Sequence, residues 1–537
     1  MNNYQTFLEK YSEYGIVREV AHPVVFVSGL PSAFPGEVVY FENDQKGKVL
    51  SLREDGVEIL LFTRKAVKKG TKVAKTGKPL SIPVGEYLLG MVIDPLGKLM
   101  TPGEGITLVK EERSVDIPPL KIMDRAVITE PFDTGVSMVD LLLPLGKGQR
   151  QIVTGDRKTG KTSFILSAIK TQVLTGSVVV YAAVGKKAIE IEQLRQFFME
   201  QELMSSVVLI AASSLDSQSL VYTAPFSAMA VAEYLRDSGK NVFVVFDDLS
   251  THAKFYREIS LLGQKFPGRD SYPGDIFFTH ARLLERAGNY VHPTVGEASI
   301  TCLPLAETIE NDLTDYIVSN LISITDGHLL FDSNEFVKGR RPAINSGLSV
   351  TRVGKQTRTV LHQDINQRLT EFLSNFTKIE KFSHFGSELT VEVKQTLNRG
   401  EKLYSFFYQP VNVSVPIDVQ YLMVAMIWLD WLAQIPSSDI SVIRSKLITQ
   451  YLQDQNFQQL IKQIVSVVAF DDLLDSVKDH RDAIIPSLGI NFSEADQDLF
   501  IGPKPVEAAN SNSESTKTSK AVSQRDNEEK TGGNNQV

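Results

Sequence analysis

The sequence has 537 residues, 42% of them hydrophobic and 22% charged, with a formal charge of −8. That length predicts about two to four domains, and the acidic balance excludes a general nucleic-acid binder, which needs a basic excess to neutralise phosphates. The single cysteine, Cys302, excludes a disulfide framework within one chain, fits a reducing compartment and reads as a small apolar core residue.

The first residues, Met-Asn-Asn-Tyr-Gln-Thr-Phe-Leu-Glu-Lys, lack the basic flank and apolar stretch of a secretory signal. Residues 1–93 read as short strands at Val24–Val27, Val38–Phe41, Val57–Phe62 and Tyr87–Ile93. These are rich in β-branched and aromatic residues and are separated by turn signals such as Pro35-Gly36 and Asp55-Gly56. Strands at this spacing predict a small N-terminal β-barrel. The aromatic and basic interleaving of an oligonucleotide-binding barrel is not evident, which points to structural or assembly use.

Residues 94–364 change texture. Gln151-Ile152-Val153 leads into Gly155-Asp156-Arg157-Lys158-Thr159-Gly160-Lys161-Thr162 and then into a helical run from Ser163 to Lys170. Strand, glycine loop and helix in that order form the phosphate-binding loop. Gly155 and Gly160 leave the backbone free to curl around phosphate oxygens, and the first N–H groups of the helix face the anion. Lys161 reaches terminal phosphates, and the Thr162 hydroxyl suits a phosphate-bound Mg²⁺. Further strands are expected at Val178–Val184, Val207–Ala211, Val242–Phe246 and Leu321–Ile324. Their continuous apolar character predicts a parallel α/β sheet covered on both faces, with its ligand beyond the carboxyl ends of the strands. Asp247, following the Val242–Phe246 strand, suits a second Mg²⁺ contact. A turn carboxylate or a helix cap is the plain alternative for Asp247 and Asp248.

Residues 365–502 read as a C-terminal α-helical bundle, with periodic apolar residues around Leu369–Leu373, Ile417–Ile435 and Ile443–Leu452. The most apolar run, Tyr421 to Leu429, is far shorter than the ~20 residues that span a bilayer, so a buried helix is expected and membrane association only through partners. Residues 503–537 contain no Leu, Ile, Met or aromatic residue and are expected to form a disordered tail.

Barrel, nucleotide-binding α/β domain and helical bundle form the layout of rotary ATPase hexamer subunits, and the sequence resembles the alpha subunit family of F-type ATP synthases. The similar stretches include the 155–162 loop, Phe246-Asp247-Asp248-Leu249-Ser250, Pro267-Gly268-Arg269-Asp270-Ser271-Tyr272-Pro273-Gly274-Asp275, Arg341-Pro342-Ala343-Ile344-Asn345 and Gly347-Leu348-Ser349-Val350-Thr351-Arg352-Val353-Gly354. The resemblance implies a site for ATP or ADP with Mg²⁺, formed by the loop residues, Thr162 and Asp247. Arg341 and Pro342 would stand beside the base, with Gln409 contacting it. It also implies an alternating hexamer with beta-type catalytic subunits around a gamma-type central shaft. The complex would lie on the cytoplasmic face of the cell membrane, as a peripheral assembly without nucleic acid.

A catalytic subunit needs a carboxylate to orient the attacking water. The matching position here is Lys186, where the alpha family has Gln, so the resemblance implies a non-catalytic site. Arg352 matches the family's arginine that reaches into the neighbour's catalytic pocket as an arginine finger. Lys158 stands where the family has Gln, and Val411 where it has a second base-contacting glutamine. The short segment before the barrel and the extension from Ile485 to Gly502 suggest a stator or docking partner other than the usual one. Two further readings stand beside this one. The chain could serve a divergent ATP-hydrolysing rotary-type motor coupled to cell-surface or gliding machinery, as related sets do in some wall-less bacteria. Less favoured by the acidic balance and the helical C-terminal region is a nucleic-acid-dependent hexameric helicase or termination ATPase.

Overall fold

The computed structural model of the chain describes residues 2–100, 111–383 and 390–488. The expected disordered tail, 503–537, lies outside the described residues, as does the extension from residue 489.

The strands Tyr14–Ala21, Val24–Gly29, Glu37–Phe41, Lys46–Arg53, Gly56–Leu61 and Lys72–Pro79 close into an antiparallel barrel. Closure comes from pairing of the first strand with the last, Tyr14 opposite Ala74, and it removes the unpaired edges that an open sheet of this size would expose. Val17, Val25, Val39, Phe41, Val49 and Ile59 fill the interior. The helix Asn3–Tyr11 precedes the barrel, its first turn capped by the Asn2 side chain.

The expected barrel strand Tyr87–Ile93 is corrected. A 3-10 turn at Glu86–Leu88 interrupts the run, and only Val92–Ile93 is extended. That pair lies parallel to Val207–Ser213, at the edge of the central sheet.

The central sheet has nine strands. Along its main path the order is Val350–Thr351, Gly327–Phe331, Ile152–Gly155, Gly296–Glu307, Val242–Asp247, Val178–Lys186, Val207–Ser213 and Val92–Ile93. Gly288–His292 pairs separately with Gly296–Glu307. The pairings along the path are parallel except for Val350–Thr351, which is antiparallel at its edge. Every residue from Val178 to Val184 is buried, as continuous apolar strands covered on both faces require. Helices Lys161–Leu174, Gln218–Asp237 and Leu249–Leu262 pack against the sheet.

One strand expectation fails and one strand was missed, each for an identifiable reason. Leu321–Ile324 is the last turn of the helix Tyr316–Ile324, whose buried residues Ile317, Val318 and Leu321 follow helical spacing. The strand lies just beyond it, at Gly327–Phe331; a short apolar run does not distinguish the two states by periodicity. The long strand Gly296–Glu307, between the loop strand and the Asp247 strand, has no counterpart in the sequence reading. It carries Pro304, which lacks an N–H and argues against a central strand.

Helices Val360–Ser383, Val391–Phe407, Ile417–Trp428, Ile440–Gln453, Gln455–Ile464, Phe470–Asp479 and Arg481–Leu488 form the expected helical region. Val419 to Ile427 are all buried, in agreement with the reading of the most apolar run as a core helix. Among the described residues, no helix is long and apolar enough to cross a membrane. Arg444 is fully buried and donates to the carbonyls of Phe406 and Tyr408 at 2.8 and 2.6 Å. It thus satisfies acceptors that the end of the Val391–Phe407 helix leaves free.

Another buried cation ties the sheet's helices to the preceding segment. Arg286 donates to both oxygens of Glu233, at 2.9 and 2.6 Å, and to the Val115 carbonyl at 2.9 Å. Its side chain is 0% exposed, so removing the carboxylate strands a guanidinium in the core. We expect Glu233→Ala to cost about 3–5 kcal/mol, seen as a lower unfolding midpoint in denaturant. An unchanged midpoint would mean that water reaches Arg286.

Candidate functional site

The 155–162 loop leaves the centre of the sheet. Its strand, Ile152–Gly155, is flanked by Gly296–Glu307 on one side and Gly327–Phe331 on the other. Gly155 has a φ of 145°, and a Cβ there would stand 2.2 Å from the Phe331 carbonyl oxygen. Only a glycine lets the chain leave the sheet at this point. The helix Lys161–Leu174 begins directly after Gly160, so the N–H groups of its first turn have no intrahelical partner. Thr159 Oγ1 donates to the Asp156 carbonyl at 2.7 Å. Lys161 Nζ folds back onto the carbonyls of Gly155 and Asp156, at 2.6 and 2.7 Å. Burial pulls its pKa below the usual lysine value, against the opposing pull of Glu307 and Asp248.

Side chains from neighbouring strands pin the loop. Asp156 Oδ1 accepts from Thr308 Oγ1 at 2.7 Å and from the Asn311 N–H at 2.9 Å. Arg157 pairs with Glu307 at 2.8 Å. Thr162 is exposed.

Asp247 ends the Val242–Asp247 strand with a side chain only 4% exposed. Lys186 Nζ contacts its Oδ1 at 2.7 Å, and the Tyr181 hydroxyl donates to its Oδ2 at 2.6 Å. Lys186 reaches it because Gly185, at a φ of 64°, breaks the register against Val207–Ser213 between Val184 and Lys186. Burial lowers the Lys186 pKa, but contact with Asp247 outweighs it, and the net shift is upward. Asp248 caps the helix Leu249–Leu262, accepting from the Ser250 N–H at 2.7 Å and from Thr251 Oγ1 at 2.9 Å. Burial, followed by the nearby charges of Glu307 and Asp247, pushes its carboxyl up to about 6.

Thr162 and Asp247 therefore do not form a Mg²⁺ site as built. Mg²⁺ demands oxygen ligands aimed at it in near-octahedral geometry, and an ion on Asp247 would stand against the Lys186 ammonium, 2.7 Å from Oδ1. No group of three or more His, Cys, Asp or Glu among the described residues is arranged to hold a metal ion.

Beside the loop lies a cavity of about 320 Å³ whose lining includes Lys158, Thr159, Gly160, Arg341, Pro342 and Gln409. Its volume is that of a small-molecule pocket. The Arg341 guanidinium lies 3.4 Å from the Phe336 ring centroid and donates to the Phe336 carbonyl at 2.8 Å. Gln409, expected to contact the base, lines the cavity with its side chain engaged within the chain. Its amide nitrogen donates to the carbonyls of Gly135 and Val413, and its oxygen accepts from the Ser137 N–H at 3.1 Å. The side chain is buried and staples the 408–415 loop to the segment entering the α/β domain, so it lines the cavity without a free polar group.

Arg352 is not part of this cluster. It follows the edge strand Val350–Thr351, where Thr351 opposes Gly327 at the amino end of the parallel strands, and its N–H donates to the Asp326 carbonyl at 3.0 Å. Gly155 lies opposite Phe331. Four steps of strand separate the two levels, roughly 13 Å at the usual rise. Arg352 forms no ion pair among the described residues, while the Asp326 carboxylate is held by Arg150 at 2.7 Å.

Tyr181, Thr308, Asn311 and the pairing partner Glu307 were not singled out in the sequence. Glu307 follows the apolar run Leu303–Ala306 as Asp247 follows its own strand, a signal that Pro304 obscures. Tyr181 sits in mid-strand with nothing local to mark it.

A barrel, a parallel sheet that ends in a glycine loop, and a helical C-terminal region define a phosphate-loop nucleotide-binding protein. The nucleotide-binding-domain model of the ATP synthase alpha/beta family matches residues 135–351, and the family's C-terminal-domain model matches residues 356–479. The chain belongs to the ATP synthase alpha/beta family. ATP synthase subunit alpha of Clostridium acetobutylicum is 35% identical over 477 residues, which is 89% of this chain and 94% of the relative. ATP synthase subunit alpha of Clostridium botulinum strain Hall is 34% identical over 480 residues, with the same coverage. Within the family the likeness is to the alpha subunits of F-type synthases.

Gly155→Ala tests the loop geometry without a ligand. The added methyl must displace the Phe331 backbone or the loop, at about 1–3 kcal/mol. We expect faster amide hydrogen exchange at residues 156–161 and a lower unfolding midpoint. Unaltered exchange would mean that the loop tolerates a side chain at its origin.

Proposed function

We propose that this chain is a non-catalytic, nucleotide-binding alpha-type subunit of a rotary ATPase, and that it completes the catalytic site of a beta-type neighbour with Arg352. In this reading the helix N-terminus after Gly160, the loop N–H groups and Lys161 hold the phosphates of ATP or ADP. The base enters the cavity beside Arg341 and Pro342. Gln409 shapes that cavity by fixing the loop behind it. Lys186 stands where a water-orienting carboxylate would be needed, and an ammonium is not a base while protonated. The bound nucleotide would then act as a structural or regulatory ligand.

The separation of Arg352 from the chain's own loop carries this reading. Groups at opposite ends of one sheet, roughly 13 Å apart by strand rise, do not converge on one nucleotide. An arginine without an ion-pair partner among the described residues is available to a neighbouring subunit. Its planar guanidinium suits the charge that develops on a transferring phosphoryl group. The ring would alternate this chain with beta-type subunits around a gamma-type shaft, on the cytoplasmic face of the membrane and attached through partners.

Arg352→Ala in the purified complex is the test. We expect assembly and nucleotide binding by this chain to persist while ATP turnover falls about a thousandfold or more. Unchanged turnover would remove Arg352 from the chemistry.

A further inference from the structure

We propose that the Lys186 ammonium is the resident cation of this site, so that the chain holds nucleotide phosphates without a divalent metal. The proposal rests on the reading of the 155–162 loop as a nucleotide site. It starts from the mismatch between Thr162 with Asp247 and a Mg²⁺ ion. Lys186 Nζ is 2.7 Å from Asp247 Oδ1, and the Tyr181 hydroxyl is 2.6 Å from Oδ2, so each oxygen already has a protein partner and one of them is a cation.

The other carboxylates around the loop already have protein partners. Asp248 spends both oxygens on the start of its helix. Glu307 takes Arg157 through Oε2, and Asp156 holds Thr308 and Asn311 through Oδ1. A divalent ion at Asp247 would have to stand against the ammonium or expel it.

Lys186 is well placed to act instead. The bend at Gly185 carries its stem onto Asp247, and three-quarters of the side chain is buried. An ammonium has three donors and no acceptor. One donor meets Asp247, which leaves two for phosphate oxygens. The pair also cancels the Asp247 charge that would otherwise repel an arriving polyphosphate. In a metal-dependent site the cation arrives with the nucleotide; here a side chain supplies one positive charge in advance.

Isothermal titration of ATP into the purified full-length chain, once with EDTA and once with magnesium chloride, tests this. The expected dissociation constants agree within about threefold. Lys186→Gln is expected to bind ATP at least about tenfold more weakly in EDTA and to recover with magnesium, while Lys186→Arg stays metal-independent. Wild-type binding that gains more than threefold from magnesium would overturn the proposal and leave the nucleotide site standing. A Lys186→Gln chain as indifferent to magnesium as the wild type would also overturn it. An absence of ATP binding under both conditions would overturn it together with the site reading beneath it. The wild-type comparison does not depend on the variants folding.

Discussion

Asp247 is a carboxylate at the end of a central strand, almost wholly out of water. A buried charge of this kind persists only with a counter-charge and hydrogen bonds to its oxygens. Lys186 and Tyr181 supply both, from one strand that lies parallel to the Asp247 strand. The constraint organises the mouth of the sheet. The Gly185 bend, the approach of Lys186 and the commitment of Asp247 are one arrangement, and removing any part leaves an unpaired charge beside the glycine loop. In the proposed reading the same arrangement puts a cation where hydrolysis would need a base, and a pocket that binds without cleaving follows from that pairing.

The sheet also separates the glycine loop from Arg352. The glycine loop and the carboxylates gather at the carboxyl ends of the parallel strands, where ligands sit in open α/β sheets. Arg352 lies at the amino end, past an antiparallel edge strand. Between them the helical region is tied to the pocket rather than appended to it. Arg444 holds the carbonyls of Phe406 and Tyr408, and Gln409 next to them grips Gly135 and Ser137. Ser414 meets Thr171, on the helix that leaves the glycine loop, at 2.9 Å. A shift of the C-terminal helices would therefore be felt at the cavity wall.

Much of this was legible in the sequence because it is written locally. The glycine loop announces itself by spacing, the barrel by β-branched strands between turn residues, and the core helix at 417–428 by its unbroken apolar run. Strand identity was harder where local signals conflict. Pro304 hid a central strand, and Leu321–Ile324 looked extended although Asp315 and the spacing of Ile317, Val318 and Leu321 belong to a helix. The site was legible as a set of residues but not as a set of contacts. Nothing in the order of residues says that Lys186 lies on Asp247, since that contact depends on the parallel register of two strands and on the bend at Gly185. The contacts of Gln409 are hidden for a related reason. A glutamine in a loop near a pocket looks available until its partners at Gly135, Ser137 and Val413, distant in sequence or screened by the fold, are in place.

This chain's own pocket is proposed to retain a nucleotide while the reactive one lies next door. A cryo-electron microscopy map of the native complex with nucleotide bound tests it most directly. Lys186 is expected to remain on Asp247 beside the nucleotide of this subunit, with no metal between Thr162 and Asp247. The Arg352 guanidinium is expected at the terminal phosphate of the adjoining subunit's nucleotide. A metal ion on Asp247 with Lys186 displaced into solvent, and Arg352 turned away from the neighbour, would contradict it.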